Sequence, residues 1–143
     1  MATLYETIYN RALSKITDYE LAALSNYDLE GILHGYLLSS IAKFRKCKND
    51  LKDRDEELRQ FNVDLEDEEI EILAIMMVRE HLAPQLHSTL LYKQIFSGKE
   101  QNYYSQSAHA KELRELDNSL KTEAQKLMRD YTYQNDLQGY FET

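Results

Sequence analysis

The sequence contains one proline, four glycines, one cysteine and no tryptophan in 143 residues. Each scarcity excludes something. So few Pro and Gly cannot supply the turns of an all-β sandwich, which needs one about every 8–12 residues. A single thiol, Cys47, cannot close an internal disulfide, so the fold is not expected to depend on an oxidising compartment. No stretch approaches the roughly 18 apolar residues of a membrane span. The densest run, Ile70 to Leu82, is interrupted by Glu71, Arg79 and Glu80. The opening Met-Ala-Thr-Leu-Tyr-Glu lacks the basic flank and apolar core of a signal peptide. A soluble, cytoplasmic setting without membrane contact is expected.

Leu, Glu, Ala, Lys, Gln and Arg are abundant, and all lose little side-chain freedom in a helix. The length is that of one domain. The expected fold class is all-α: a helical bundle of about four to five helices with a long acidic connection and an extended C-terminal tail. The bundle domain should span residues 1–131, with the acidic connection at about 49–66 and the tail at 132–143.

Thr3 and Glu6 form a T-x-x-E capping pattern, so the first helix is predicted to begin at Thr3. Leu4, Ile8, Ala12 and Ile16, with Leu13 beside them, form its apolar stripe. Thr17 and Glu20 repeat the pattern and predict a short second helix, and Ser25 with Asn26 signals the next start. A long helix then extends to about Lys48, buried through Leu29, Ile32, Leu33, Tyr36, Leu37, Ile41 and Phe44. Gly31 and Gly35 lie within it, one turn apart; either they admit a close neighbouring backbone or they are simply tolerated.

Residues 49–66 read largely as surface loop, with Leu58, Phe61, Val63 and Leu65 as anchors. A helix capped by Glu66 or Asp67 then runs to about residue 83, apolar nearly all round, and is predicted to be the central one. Pro84 should kink this helix or start a new one, and Gly98 should end the helical stretch beyond the proline. Lys99 to Ser107 reads as loop. From Ala108 to Tyr131, Leu113, Leu116, Leu120, Ala124, Leu127 and Tyr131 form a seam near coiled-coil spacing.

Charge is polarised along the chain. Between Asp50 and Glu71 eleven acidic residues face three basic ones, an excess equal to the whole net charge of −8. Immediately before them stand Lys43, Arg45, Lys46 and Lys48. These cations fit a solvated helix end, or a surface that meets the acidic connection of an adjacent copy. No helix-turn-helix with a basic recognition helix accompanies them.

Sequence signatures of catalysis are missing. The histidines at 34, 81, 87 and 109 have no zinc-binding spacing, and Glu80 beside His81 and Glu30 before His34 do not form Glu-x-x-His. There is no phosphate-binding glycine loop and no G-x-S-x-G. No catalytic residue, cofactor or metal is expected, and no enzymatic activity. Cys47, three residues after Phe44, reads as a packed thiol, and His81 as a hydrogen-bonded buried or interface histidine. Of eleven tyrosines, Tyr5, Tyr9, Tyr36 and Tyr131 fit core edges. Tyr103, Tyr104, Tyr133 and Tyr140, with Phe141, fall outside the periodic core, where aromatics mark either partner surfaces or a tail that folds back.

Four segments carry a resemblance: L-Y-E-T-I-Y-N-R-A-L-S-K-I-T-D-Y at the start, Y-L-L-S-S-I-A-K-F-R-K-C (36–47), D-L-E-D-E-E-I-E-I-L-A-I-M-M-V (64–78) with Pro84, and L-M-R-D-Y-T-Y (127–133). In this order they resemble the small helical head–tail connector (adaptor) proteins from the neck of tailed bacteriophages. The resemblance implies a structural virion protein, assembled from the host cytoplasm into a ring, typically twelve-fold, beneath the portal. Such a ring extends the DNA channel, with duplex DNA only as passing cargo, and receives the next neck or tail-completion protein. It further implies that the aromatic tail, Tyr131, Tyr133, Tyr140 and Phe141, docks on the portal or on a neighbouring subunit. Lys43, Arg45, Lys46 and Lys48, with Asp53, Asp55, Glu56 and Glu57, would then pair between subunits or shape the field of the channel. The competing expectations are a cytoplasmic helical interaction or regulatory module, an enzyme on a helical bundle, and a small terminase subunit.

Overall fold

The structure is a computed structural model that describes residues 2–16, 21, 23–95 and 100–141, with side chains described for 2–16, 21, 23–88 and 108–134. It is mostly helical. In chain order the described elements are β1 (Thr3–Leu4), α1 (Tyr5–Leu13), α2 (Asn26–Lys43), β2 (Arg54–Asp55), β3 (Gln60–Phe61), α3 (Asp67–Ile95) and α4 (Glu100–Phe141). The second short helix predicted from Thr17, and the stop at Gly98, fall outside the described residues.

α3 is the central helix, as its composition predicts. Ile72, Leu73, Ala74, Ile75, Met76, Met77 and Val78 are all buried in succession. Only a helix covered on several sides can bury seven consecutive residues. The covers are α1, α2 and α4. α1 contributes Tyr5, Ile8, Tyr9 and Ala12, and α2 contributes Leu33 and Leu37. A second cluster, Val78, Leu82 and Leu113 with Leu86 and Leu120 beside it, continues the seam between α3 and α4. α3 and α4 run antiparallel, as the pairs Glu69–Tyr131 and Arg79–Asp117 require.

The expectation of a purely helical chain is corrected by a three-stranded antiparallel sheet in the order β1-β3-β2. The acidic connection, expected to be largely loop, folds into a hairpin that pairs Arg54 with Phe61 and Asp55 with Gln60. Its residues explain why. Asp55 Oδ1 accepts from the backbone N–H groups of Glu57 and Leu58, and Arg59 adopts a positive φ of 52° to complete the turn. Asp53 Oδ1 accepts from Asn62 Nδ2 across the strands. Phe61 enters the core fully buried, against the edge of Tyr5 at 5.0 Å between ring centroids. Two apparently solvated carboxylates are thus turn-forming groups.

The N-terminal capping box is a second correction. Thr3 does not cap α1, whose N-cap is Leu4 with no side-chain cap. The Thr3 hydroxyl donates to Val63 O at 3.0 Å and accepts from Leu65 N at 2.9 Å, sixty residues away in sequence. Once the chain pairs with β3, the hydroxyl is committed there, and Leu4 turns out 49% exposed.

Pro84 does not break α3, which continues to Ile95. α4 starts at Glu100, where the sequence predicts a loop to Ser107, and runs through Phe141, where it predicts an extended tail. Its 42 residues span about 63 Å at the 1.5 Å rise of a helix.

Candidate interaction surfaces and the carboxylate that positions them

Glu69 organises the molecule. It sits at the third position of α3, completely buried. Its Oε1 accepts from Glu66 N at 2.8 Å, the backward reach of a capping carboxylate, and from Asn49 Nδ2 at 2.7 Å. Its Oε2 accepts from Cys47 Sγ and from the Tyr131 hydroxyl, both at 2.8 Å. Tyr131 in turn accepts from Lys48 N at 2.8 Å, and its buried ring meets the edge of Phe44 at 5.7 Å. One carboxylate therefore ties the start of α3, the segment after α2 and the late part of α4 together.

The electrostatics derive from that geometry. Burial favours the neutral acid, but four donors aimed at the two oxygens outweigh it and hold the Glu69 carboxyl below its usual range. Burial, then the Glu69 hydrogen bond, pushes the Cys47 thiol up to about 12, the reverse of an activated cysteine. Burial raises the Tyr131 phenol also. Sequence reasoning missed Glu69, although Glu66 and Glu69 at capping spacing before an apolar run were the available signal.

A second network lies at the hairpin. Glu56 accepts from Tyr5 OH at 3.1 Å and Arg54 Nε at 2.9 Å, and its Oε2 lies 3.0 Å from His34 Nε2. His34 Nδ1 lies 3.2 Å from Tyr9 OH, so the tautomer protonated on Nε2 satisfies both contacts. A hydroxyl–imidazole–carboxylate array has the parts of a proton relay. Here burial holds the Tyr9 hydroxyl well above the ordinary phenol range, opposite to what a nucleophile requires. Among the described residues, no group of three or more His, Cys, Asp or Glu is placed to hold a metal ion, and no helix is long and apolar enough to cross a membrane.

The residues predicted to face partners divide. Tyr131 is a correction: its ring is buried and its hydroxyl is used internally. Tyr133, one half-turn on, is 65% exposed. The side chains of Tyr140 and Phe141 lie outside the described residues. Lys43 pairs with Glu80 of the same chain, whereas Arg45, Lys46 and Lys48 are exposed. Lys46 and Arg129 border a shallow groove floored by Met128 and Tyr133. Asp53, Asp55 and Glu56 serve the hairpin, and Glu57 is exposed at its tip. His81 is buried with Nδ1 3.2 Å from Tyr36 OH, and Cys47 is half-buried.

No protein family matches the chain, and neither a curated protein nor a solved structure matches it.

Proposed function

We propose that the protein is a structural head–tail adaptor of a tailed bacteriophage, working as a ring of copies beneath the portal and joining it to the next neck or tail component. The carrying observation is the length of the α3–α4 pair relative to the body. α1 and the sheet pack around the first half of α3, and α2 covers the same stretch. Burial is lighter beyond Leu82: residues 83–88 are half-buried or exposed, and Ala108 and His109 are exposed just before the buried Ala110 of α4. At the other end α4 continues for about 15 Å of helix beyond the buried Tyr131, to Phe141. α4, at 42 residues, is more than twice as long as α2, at 18; helices of such length are what an assembly subunit uses to reach neighbours, and exposed Leu116 and Tyr133 on α4 are suited to that contact.

The regulatory reading, in which the acidic connection imitates nucleic acid, is less well supported. Such mimicry needs freely presented carboxylates, and although Glu57, Asp64, Glu66 and Glu68 are exposed, Asp53, Asp55, Glu56 and Glu69 are engaged in intramolecular hydrogen bonds. Electron microscopy of the purified protein mixed with portal particles tests the proposal. Ring-shaped density added below the portal is the expected result, and portal particles that remain bare at saturating protein refute it. The role of Arg45 and Lys46 is separable by salt. Pairing between subunits weakens as ionic strength rises, whereas acidic groups lining a channel tolerate added salt.

A further inference from the structure

α2 buries one side in the core through Leu33, Leu37 and Ser40. On its opposite side Tyr27, Gly31, Gly35, Leu38 and Ala42 succeed one another at three- and four-residue spacing, and all five are exposed. None carries a charge. Tyr27 is 81% exposed and Leu38 38%. A Cβ built on either glycine would have nothing within 4 Å. This helix is thus apolar or small on its solvent side as well as its core side, the pattern of a helix covered twice.

The charges at its two ends identify what fits. At the N-terminal end a groove of about 610 Å³ is lined by Asp28, with Glu30 paired to Arg59 and Glu56 to Arg54, so Asp28 carries the acidic excess. At the C-terminal end a groove of about 830 Å³ is lined by Arg45, Lys48 and Lys52 against one carboxylate, Asp50, with Arg54 turned to Glu56. The face is acidic at one end, basic at the other and uncharged between, so its complement is itself, turned end for end.

We infer that this face of α2 binds the same face of a second copy, antiparallel, in a two-fold dimer of the free protein. With Gly35 opposite Leu38 of the second copy, Gly31 comes opposite Ala42, each pairing occurring twice, and Asp28 near the start of α2 faces the cations just beyond its end, Arg45 among them. The leucines enter spaces where the glycines carry no side chain. The contact is isologous, unlike the head-to-tail contacts of a cyclic ring, so it is not the contact that closes a ring. α2 has 18 residues, about 27 Å of helix. That face alone falls short of the roughly 800 Å² per partner of a standard interface, so the flanking charges contribute and the dimer is weak and salt-sensitive.

Sedimentation velocity of the free full-length protein tests this over a concentration series at low and high ionic strength. A monomer–dimer equilibrium that loosens with salt is expected. Asp28→Arg alone and Arg45→Asp alone should each weaken it roughly tenfold or more, because like charges then meet twice. An equimolar mixture of the two variants should restore a dimer. Gly35→Leu should abolish association while circular dichroism reports an unchanged fold. A protein monomeric at every concentration in low salt overturns the inference, as does association unaffected by Gly35→Leu or a mixture that builds larger oligomers. The readout uses no portal: a dimer that never binds portal refutes the neck reading alone, and portal rings formed by a chain that never dimerises refute this inference alone.

Discussion

Replacing Glu69 by glutamine changes one atom in the best-connected group of the molecule. The carboxylate receives four hydrogen bonds, two at each oxygen. An amide can keep one pair of donors at its oxygen but turns an NH2 toward the other pair. Asn49 Nδ2 and Glu66 N cannot accept, so the NH2 must face Cys47 and Tyr131. The Tyr131 oxygen already accepts from Lys48 N. It can accept once more, but its own proton is then left without a partner. The variant thus loses two charge-assisted bonds, each worth about 1.5–3 kcal/mol, and recovers a weaker one. The net destabilisation is about 2–4 kcal/mol, which lowers the melting temperature by roughly 5–12 °C in a chain of this size. Differential scanning calorimetry measures it. Hydrogen exchange should locate the loss in the segment after α2 and in α4 around Tyr131, leaving the hairpin protected.

The pH profile supplies an independent check on the same variant. Because the carboxyl is held below its ordinary value in the folded protein, the native state binds fewer protons there than the unfolded chain. Its contribution is complete above the ordinary carboxylate range near pH 4.3. It is lost as the pH falls through the folded value. Wild type should therefore shed stability in acid more steeply than Glu69→Gln, and the two profiles should converge at low pH. A variant within about 0.5 kcal/mol of wild type at neutral pH, or with an equally steep acid limb, would refute the assignment of Glu69 as the organising group.

Tyr131→Phe keeps the ring against Phe44 and removes the hydroxyl between Lys48 N and Glu69, so chemical denaturation should show a loss of about 1–2 kcal/mol. Thr3→Val should cost about as much by orphaning Leu65 N and Val63 O, while Thr3→Ser should recover most of it; equal costs would mean the hydroxyl bridge is unimportant. Gly31→Ala, assayed where the protein is dilute and monomeric, should gain about 0.5–1 kcal/mol in thermal unfolding, because the added methyl meets open space in a helix. Cys47 should react with iodoacetamide at mildly alkaline pH more than about a hundredfold slower than a free thiol, and at the ordinary rate in denaturant; rapid labelling of the native protein would contradict its place against Glu69.

Much of this architecture is local, and local order is written in the sequence. The apolar run from Ile70 to Val78 required a helix covered on several sides, and the seam Leu113, Leu116, Leu120, Ala124, Leu127 and Tyr131 required a partner helix; both are met by the packing of α3 against α1, α2 and α4, except that Leu116 faces outward. The polarity of the chain, cations at 43–48 and carboxylates after them, was equally plain. What sequence order could not supply were pairings between distant residues. Thr3 looked like a helix cap because its near neighbour Glu6 completed the pattern, yet Val63 and Leu65 claim its hydroxyl. The acidic connection looked solvated because its carboxylates outnumber its anchors, yet Asp53 and Asp55 hold a hairpin.

Tyr131 is the sharpest case of the division. Periodicity placed it on a core seam, and its aromatic neighbours placed it on a partner surface; only the fold decides for the core, by bringing Glu69 to its hydroxyl from 62 residues away. A hydrogen bond to a buried carboxylate is worth enough to fix a side chain's orientation, but it has no signature in either segment until the two helices are laid antiparallel. The existence of the helices and the identity of the central one are set by spacing along one stretch of chain. The hairpin, the N-terminal strand and the Glu69 junction are set by which donors and acceptors meet once that helix is covered, because buried polar groups must find partners wherever in the chain those lie.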